Sequence, residues 1–396
     1  MKRLAIIATH PIQYNAPWFR LLNERKQIEL KVFYTWSQAS TGGTFDHGFG
    51  KVIEWDIPLL DGYDYKFVDN TSANPGVHHF RGIVNPKLIQ EVEEFHPAAV
   101  LIIGWSFQSH LKCIMYFHNK IPVFFRGDST LLNTQFFLKK TIRTFFLKWI
   151  YHHVDIAFYV GLRNKEYFLA HGLKQDELVF TPHAIENERF NDTDKIYQEE
   201  AKKWRIKLNI KESDMVFLFA GKLEPKKNPE LLIKAFAAIK KPTVHLVLVG
   251  NGILEKGIKM KYKGFENLHF MDFQNQSQMP IVYNLSNVFI LPSKGPGETW
   301  GLAINEAMAS SKPVIVSDKC GCAIDLVKEG LNGFIFKSND VADLENKMKL
   351  LISNKSNLGI MGNHSLAIIK KWSFVNICFP IENALSNLEI SKIRSK

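Results

Sequence analysis

The sequence predicts an α/β protein of two doubly wound domains, each built on a parallel sheet, that face each other across a cleft. The chain has 396 residues, too many for one compact core, so two domains of roughly 150–200 residues each are expected. Short apolar runs alternate with helical patterns throughout, as in parallel sheets covered by helices. This alternation starts again near residue 215, after a polar, charged stretch at 186–214 that has little apolar periodicity beyond one amphipathic helix. In such domains, ligands bind at the carboxyl ends of the strands.

In the first half, strands are predicted where short apolar runs occur, and helices where apolar residues recur with helical spacing. The segment 36–82, rich in glycine, aromatic residues and histidine, interrupts the alternation and is interpreted as a loop-rich insertion. The predicted strands are 3–8, 28–34, 99–103, 121–125, 155–159 and 177–181, and the helices are 15–24, 86–95, 106–118 and 134–152.

The second half shows a cleaner alternation. Residues 1–183 are assigned to a first domain, 184–375 to a second, and 376–396 to a C-terminal helix that packs back across the hinge. The predicted strands of the second half are 215–220, 244–249, 267–271, 287–291, 313–317 and 333–336, and the helices are 229–240, 276–284, 302–310, 322–328, 340–353 and 375–391.

Charge and cysteine content narrow the classes of partner. The 50 Lys and Arg residues exceed the 39 Asp and Glu residues by 11, so we expect an anionic partner: a nucleotide, lipid headgroups or nucleic acid. The four cysteines form no C-x-x-C pair and are predicted to be buried free thiols. The N-terminal apolar run is too short for a signal peptide, and no run approaches the roughly 18 residues of a membrane span. A cytoplasmic location is expected.

The segment 295–309 carries the strongest functional signal. It follows a predicted buried strand and places Glu298 and Glu306 eight positions apart, with Gly301 before a helix that starts at about Leu302. A helix start offers unpaired N–H groups and a positive dipole end to a phosphate. Carboxylates beside it can accept hydrogen bonds from sugar hydroxyls. The pattern therefore suits a nucleotide sugar; the alternative is an exposed helical Glu306 and a Glu298 that only complements the helix dipole.

A lysine-rich loop follows the first strand of the second half. Gly221 permits a tight turn, Asn228 is suited to cap the next helix, and Lys222 and Lys227 lie at the carboxyl edge of the strand. Two ammonium groups there suit a diphosphate, and a solvated loop is the alternative. A further glycine turn, at Gly250, ends the next predicted strand. Because these motifs end successive parallel strands, they point to one ligand site.

The order of these motifs resembles a known enzyme family. GKLEPKKN, LVGNG, LPSKGPGETWGLAINEAMA, PVIVSD and GLNGFIF are similar to the C-terminal half of retaining glycosyltransferases of the GT-B fold. This is the family with the E-x7-E motif (family 4, "group 1"), and the resemblance covers residues 180–375. It implies two Rossmann-like domains and a nucleotide-sugar donor, with no cofactor and no metal.

The same resemblance implies roles for individual residues. Lys222 and Lys227 would bind the donor pyrophosphate, although the family usually has arginine at the position of Lys222. Glu298 would contact the donor sugar at the reacting centre, and Glu306 would hold the ribose hydroxyls. The remaining implied donor contacts are the backbone N–H groups of Gly301 and Leu302, together with Thr299, Gly221 and Gly250.

The first half carries the acceptor side in this family. The loop at residues 10–15 lacks the glycine pair common in the family, so we expect it to contact the acceptor rather than the donor. Asp128 follows a buried strand and is a candidate base for an acceptor hydroxyl; helix capping or a salt bridge with Arg126 is the alternative. His183 lies in a segment that resembles the family's hinge, where it either faces the cleft or is structural.

The segment 134–153 has four basic residues and no acidic residue. A first set of apolar residues forms one helical stripe, predicted to face the core with the basic side solvated: Leu138, Ile142, Phe145 and Trp149. A second set falls outside this stripe and suggests contact with an anionic membrane: Phe136, Phe137, Leu147 and Ile150. Such contact would suit a lipid-linked acceptor.

Together, residues and resemblance predict the retaining transfer of a sugar from a UDP- or GDP-sugar to a hydroxyl of a glycan or lipid-linked acceptor. Cell-surface polysaccharide biosynthesis, at the inner face of the membrane, is the expected setting. The alternatives are an epimerase or phosphorylase on the same fold, a non-catalytic sugar-binding relative, and a basic nucleic-acid-binding protein. The basic residues lack an RNP-type or helix-turn-helix context, so no nucleic-acid partner is expected.

Overall fold

The computed structural model describes residues 1–41, 44–46, 51–132 and 137–388, with the backbone alone at 40–41, 44–46, 51 and 137–140. The chain divides into two compact units. The first comprises Met1–Thr44, Pro58–Pro182 and Phe374–Lys396, and the second comprises Phe45–Ile57 and His183–Ser373. The last helix thus belongs to the first unit, and a segment inside the predicted first domain belongs to the second.

The first unit is built on parallel strands whose apolar side chains are buried on both faces, as expected of a sheet covered by helices. Its helices are α1 (Ala16–Glu24), α2 (Leu88–Glu94), α3 (Gln108–Phe117), α4 (Phe137–Tyr151) and α5 (Leu162–Ala170). The strands up to residue 182 are β1 (Arg3–Ala8), β2 (Glu29–Tyr34), β3 (Thr44–Asp46), β4 (Lys51–Ile53), β5 (Asp64–Phe67), β6 (Ala99–Ile103), β7 (Val123–Arg126), β8 (Ile156–Tyr159) and β9 (Leu178–Phe180). Seven of them form one sheet in the order β5-β2-β1-β6-β7-β8-β9, and β3 pairs with β4 separately.

The interpretation of 36–82 as a loop-rich insertion is wrong in part. Strand β5 lies within this segment and pairs in parallel with β2 at the sheet edge, Lys31 opposite Asp64 and Tyr34 opposite Phe67. Its sequence, DYKF, is largely exposed. An edge strand has a neighbour on one side only and often carries charged residues, so it lacks the apolar signal that predicted the other strands.

The second unit contains a six-stranded parallel sheet in which every predicted strand is confirmed to within a residue at either end. Its strands are β10 (Met215–Ala220), β11 (Val244–Val249), β12 (Leu268–Met271), β13 (Val288–Leu291), β14 (Val314–Ser317) and β15 (Gly333–Phe336). They lie in the order β12-β11-β10-β13-β14-β15. The strand order therefore reverses between β10 and β13, which is where doubly wound sheets bind ligands.

Helices cover this sheet, including three that the sequence did not predict, namely α6, α9 and α14. The helices are α6 (Asn187–Phe190), α7 (Ile196–Lys207), α8 (Pro229–Ile239), α9 (Glu255–Lys261), α10 (Met279–Asn284), α11 (Leu302–Ala309), α12 (Ala323–Leu326), α13 (Val341–Ser353) and α14 (Leu358–Ile369). Asn228 precedes α8 as expected, but its backbone is left-handed and its side chain does not cap the helix. Pro229 supplies the fixed first turn instead.

The predicted orientation of α4 is wrong. Leu147 and Ile150 are fully buried in the core of the first unit, whereas the predicted core residues Ile142, Phe145 and Trp149 are 68%, 70% and 48% exposed. Apolar residues occur on every side of this helix, so spacing alone could not select the buried face. Phe136 and the side chains of Phe137 and Leu138 lie outside the described residues. No helix in the described part of the chain is long and apolar enough to cross a membrane.

The last helix, α15 (Val375–Ser386), is attached to α1 by an ion pair. Arg25 Nε and Nη2 donate to the two carboxylate oxygens of Glu382 at 2.7 and 2.9 Å, and Glu382 is almost entirely buried. Lys2 Nζ donates to the carbonyl oxygens of Leu385 and Ser386 at 3.1 and 2.9 Å. A cation at these carbonyls, near the C-terminal end of the helix, also complements the helix dipole. These contacts assign α15 to the first unit.

We expect Arg25→Met to lower the free energy of unfolding of the first unit by about 2 kcal/mol, because it leaves a buried carboxylate without its partner. Urea unfolding followed by circular dichroism measures this loss. The matched control is Arg163→Met, which breaks the exposed Arg163–Glu166 pair and should cost less than about 0.5 kcal/mol. Equal effects of the two substitutions would contradict the structural role of the Arg25–Glu382 pair.

Candidate functional site

Two glycine turns form the floor of the candidate site at the carboxyl ends of β10 and β11. Gly221 N donates to Val249 O at 2.9 Å, and Gly250 has a φ of +129°. A Cβ on Gly250 would lie 2.2 Å from Gly221 O, so glycine is required here for both conformation and space. The two loops therefore lie in backbone contact at this edge of the sheet.

Lys227 and Glu298 form an ion pair across the position where the strand order reverses. Lys227 Nζ lies 2.5 Å from Glu298 Oε2, and Ser293 Oγ donates to the same oxygen at 2.8 Å. Only 17% of the lysine side chain and 8% of the glutamate side chain are exposed. The sequence placed both residues at the site but did not predict their pairing, and it missed Ser293. The solvated-loop alternative is wrong for Lys227.

The loop that carries Glu298 is held by backbone contacts with the residues before α12. Gly321 N donates to Glu298 O, and Cys322 N donates to Trp300 O, both at 3.1 Å. A Cβ on Gly321 would lie 1.7 Å from Thr299 O, so the two chains touch directly. Close packing therefore accounts for the glycine in the Cys-Gly-Cys sequence at 320–322. All four cysteines are buried and form no disulfide, as predicted.

Helix α11 begins beside this ion pair. Gly301 precedes it with a φ of +106°, and a Cβ there would lie 2.8 Å from Leu291 Cδ2 and 3.7 Å from Glu298 Oε1. The first N–H groups of a helix, here starting at Leu302, have no partner within the helix and attract anions. Thr299 and Leu302 are both half-buried. The sequence-predicted phosphate position is thus bounded by glycine backbone on one side and Glu298 on the other.

Glu306 is buried on α11, which excludes the alternative of an exposed helical residue. It is 3% exposed, and its Oε2 accepts a hydrogen bond from Tyr283 Oη at 2.7 Å. Tyr283 comes from α10 and fixes the orientation of the carboxylate. Nothing in the sequence around Tyr283 singled it out, because the contact joins two different helices, across 23 positions of sequence.

Two hydrogen bonds in series hold the start of the longer segment of the second unit, at His183. Trp300 Nε1 donates to Asn305 Oδ1 at 2.8 Å, and Asn305 Nδ2 donates to His183 O at 2.9 Å. The ring of His183 lies 5.7 Å from that of Trp300. His183 is therefore attached, through its backbone and its ring, to the segment that carries Glu298 and Glu306. Sequence reasoning missed Trp300 and Asn305.

Asp128 and Arg126 belong to the first unit, at the carboxyl end of β7. Arg126 is buried, and its Nη1 and Nη2 donate to Thr181 O and Pro182 O at 2.9 and 3.0 Å. Burial lowers the pKa of Arg126 to about 10, and the charge of Asp128 opposes this shift. The hydrogen bonds of Arg126 thus hold Thr181 and Pro182, where the second segment of this unit ends. Asp128 interacts with Arg126 electrostatically and is half-buried.

The loop after β1 contains a neutral histidine. Burial lowers the pKa of His10 to about 4, and its Nδ1 lies 3.0 Å from Thr9 Oγ1. Its ring packs edge-on against Trp36, with 5.2 Å between the ring centroids. At neutral pH, His10 therefore offers a hydrogen bond rather than a positive charge.

Comparison with known proteins supports the family that the sequence motifs resemble. Residues 200–365 match the family "Glycosyl transferases group 1". All the predicted donor-site residues from Lys222 to Glu306 lie inside the matched segment. This match and the relatives described below support the family resemblance of the second unit.

Curated glycosyltransferases match this chain over parts of their length. Sulfoquinovosyl transferase SQD2 of Arabidopsis thaliana is 22% identical over 306 residues, 74% of this chain and 57% of that protein. The UDP-Gal:alpha-D-GlcNAc-diphosphoundecaprenol alpha-1,3-galactosyltransferase of Escherichia coli is 32% identical over 154 residues, 37% of this chain and 39% of that protein. The chain spans about half the length of the curated relatives it matches.

Solved structures match the whole fold. HepE of Anabaena, crystallised with UDP, has a TM-score of 0.71 at 17% identity and covers 98% of this chain and 100% of its own. Sucrose-phosphate synthase of Thermosynechococcus elongatus has a TM-score of 0.71 at 16% identity, with 98% of each chain covered. The chain therefore has the GT-B fold with two Rossmann-like domains, as the sequence predicted.

We expect Gly321→Ala to lower the free energy of unfolding of the second unit by at least about 2 kcal/mol, since the new Cβ meets backbone that cannot rotate away. Chemical denaturation measures the change. Gly257→Ala is the matched control: Gly257 lies in α9 with nothing within 4 Å of an added Cβ, so stability should stay equal or rise by up to about 1 kcal/mol. A tolerated Gly321→Ala would refute the close packing of this loop.

Proposed function

We propose that the chain is a hexosyltransferase that moves a sugar from a nucleoside diphosphate sugar to an acceptor hydroxyl, with retention at the anomeric carbon. The observation that carries this proposal is the buried Lys227–Glu298 pair at the reversal of strand order, next to the first turn of α11. The match to group 1 glycosyltransferases over the same residues supports it. UDP is proposed as the first nucleotide to test, because the HepE structure contains it, and GDP as the second.

In this proposal, the donor diphosphate binds between the lysine loop and the start of α11. The ammonium groups of Lys222 and Lys227 and the N–H groups of Gly301 and Leu302 would stabilise charge as it develops on the leaving diphosphate. Such preorganised donors act on the transition state more than on the ground state. Because they supply the positive charge, we propose that no divalent metal is needed.

The two carboxylates have different proposed roles. Glu298 Oε2 is occupied by Lys227 and Ser293, so its Oε1, which faces the Gly301 side, is the oxygen that would accept from a sugar hydroxyl. Glu306 is held by Tyr283 through Oε2, and its carboxylate would accept from the ribose hydroxyls. Asp128 is proposed as an acceptor-side residue, and the role of His183 in catalysis is proposed to be positional.

The acceptor is proposed to be a glycan or a lipid-linked molecule, in cell-surface polysaccharide biosynthesis. The names of relatives support this class: one is a galactosyltransferase that acts on a diphosphoundecaprenol-linked sugar, and another is the alpha-monoglucosyldiacylglycerol synthase of Acholeplasma laidlawii.

We propose a cytoplasmic protein that binds the membrane surface, and the exposed face of α4 supports the membrane contact. Ile142, Phe145 and Trp149 lie side by side and exposed on this helix, and Lys148 beside them is exposed too. Aromatic and aliphatic side chains next to lysine suit insertion into an anionic lipid surface. The stripe that the sequence assigned to the core is therefore the proposed membrane face.

An epimerase on the same fold is the main alternative enzyme, and it would convert the donor without an acceptor. A nucleic-acid-binding protein would bind DNA or RNA with an affinity that falls steeply with salt. Thermal shift and hydrolysis assays with UDP-, GDP- and ADP-sugars separate these functions. If none of these nucleotide sugars raises the melting temperature, the transferase proposal is refuted.

We expect Lys227→Gln to weaken nucleotide binding by about 10–100-fold, through loss of a charge-assisted contact with phosphate. Glu306→Ala should weaken it by about 10-fold through loss of the ribose contact. Calorimetric titration with UDP and GDP measures both. Lys226→Gln is the matched control, since Lys226 is a more exposed neighbour whose Nζ lies 3.5 Å from Glu224 Oε1. The Lys226→Gln variant should bind both nucleotides with wild-type affinity. Wild-type affinity in both test variants would show that the donor site is misplaced.

We expect the double substitution Ile142→Ser and Phe145→Ser to weaken binding to phosphatidylglycerol vesicles by at least about 10-fold, because each apolar side chain contributes roughly 2 kcal/mol on burial. Vesicle sedimentation measures binding, and phosphatidylcholine vesicles should bind more weakly. Leu169→Ser, an exposed apolar residue on α5, is the control and should leave binding unchanged. Equal binding of all three proteins would contradict the α4 membrane face.

A further inference from the structure

One segment of the N-terminal half of the chain, Phe45–Ile57, belongs to the second unit. Its last residues are attached to the loop between β12 and α10. Asn275 Nδ2 donates to Glu54 O at 2.7 Å. Ser277 N donates to both carboxylate oxygens of Asp56 at 3.2 Å, and Ser277 Oγ donates to Asp56 as well. These hydrogen bonds fix residues 54–56 on the loop, and the transferase proposal gives this attachment no role.

Trp55 lies between the two attachment points, and its ring packs against that of Phe273. The ring centroids are 6.3 Å apart, and the ring planes meet at 62°. Both side chains are half-buried, so both keep part of their surface accessible. Because the residues on either side of Trp55 are hydrogen-bonded, the backbone that carries this ring is fixed. An anchored, partly exposed aromatic ring is a surface on which a planar group can stack.

The two rings belong to the same row of loops as the candidate donor site. Phe273 N donates to Asn251 Oδ1 at 2.9 Å, and Asn251 Nδ2 donates to Asp272 Oδ1 at 3.0 Å. Gly250, the residue before Asn251, packs against Gly221 at the start of the lysine loop. Neighbouring strands lie about 4.8 Å apart, so two spacings place the loop after β12 roughly 10 Å from the loop after β10.

Glu306 indicates the direction in which a bound nucleotide would extend. The transferase proposal places the diphosphate at the start of α11 and the ribose at Glu306. Glu306 accepts from Tyr283 on α10, and α10 packs against α11. Since α10 begins at Met279, directly after the loop that carries Phe273, a base attached to this ribose would extend toward that loop and toward Trp55.

The charges around the two rings favour a base over a phosphate. Glu54 and Asp56 flank Trp55, and Asp272 precedes Phe273; all three acidic side chains are exposed. Like charges repel, so an anionic phosphate is disfavoured here, whereas a neutral nucleobase is not. The lysines lie at the other end of the row, after β10.

We propose that Trp55 stacks on the nucleobase of the donor nucleotide, and that Asp56 is the positioning residue that holds Trp55 in place. This inference rests on the transferase proposal and deepens it, because it gives a nucleotide-binding role to a segment outside the match at 200–365. Stacking on an aromatic ring depends little on which base is bound. Trp55 therefore contributes affinity for both UDP and GDP.

The test is calorimetric titration of the full chain with UDP. We expect Trp55→Leu to weaken binding by at least about 5-fold, because leucine packs against Phe273 but has no planar face for the base. Trp55→Phe keeps an aromatic ring and should bind within about 3-fold of the wild type. Asp56→Ala should weaken binding, and Asp56→Asn should weaken it less, since the amide oxygen still accepts from Ser277.

Fluorescence supplies a second measurement that a purely structural role would not change. UDP should quench the tryptophan fluorescence of the wild type, and most of this quenching should be lost in Trp55→Phe, although affinity is retained. Trp204→Leu is the matched control: Trp204 is half-buried on α7, where its Nε1 donates to Glu200 Oε1 at 3.2 Å. This variant should bind UDP as the wild type does.

The outcomes separate this proposal from the transferase proposal. If the wild type binds UDP and Trp55→Leu binds it equally well, Trp55 does not contact the base, and the transferase proposal stands. Unchanged quenching in Trp55→Phe, or an equal loss of affinity in Trp204→Leu, would also overturn the stacking role alone. If the wild type binds neither UDP nor GDP, both proposals are refuted.

Discussion

The buried ion pair between Lys227 and Glu298 is the interaction on which the candidate donor site depends. It joins the loop after β10 to the loop after β13, and the backbone bond from Lys294 N to Lys226 O, at 2.9 Å, joins the same two loops. Removal of one member of a buried pair typically costs about 3–5 kcal/mol, because the other charge stays desolvated. The pair therefore fixes the distance between a cation and a carboxylate that are 71 positions apart in sequence.

Around this pair, the loops are rigid for steric reasons. Gly250 packs against Gly221 and Gly321 packs against Thr299, each at a distance that excludes even a methyl group. Loops in such backbone contact cannot rearrange independently, so charges at their tips are placed before any ligand arrives. Preorganisation of this kind is what electrostatic catalysis requires. The packing of Gly321 against Thr299 also gives a steric reason for the glycine in the Cys-Gly-Cys sequence.

The two edges of the six-stranded sheet differ in their electrostatics. At the carboxyl edge, the cation Lys227 has a carboxylate partner, and the carboxylate of Glu306 has the hydroxyl of Tyr283. At the amino edge, Ser310 Oγ and Arg205 Nε are buried and have no hydrogen-bond partner among the described residues. Helix α11 connects the two edges, since it begins at Leu302 and ends at Ala309, immediately before Ser310.

The sequence by itself determined the α/β class, the strands of the seven- and six-stranded sheets except the edge strand β5, and the segments that form the candidate site. It could do so because buried parallel strands must be apolar on both faces, and because tight turns at strand ends require glycine. Only the tertiary structure decided which face of α4 is buried, that Lys227 pairs with Glu298 and Ser293, and that Tyr283 holds Glu306. The reason is the same in each case: these outcomes depend on contacts between residues distant in the chain, and local periodicity carries no information about which surface another element will cover.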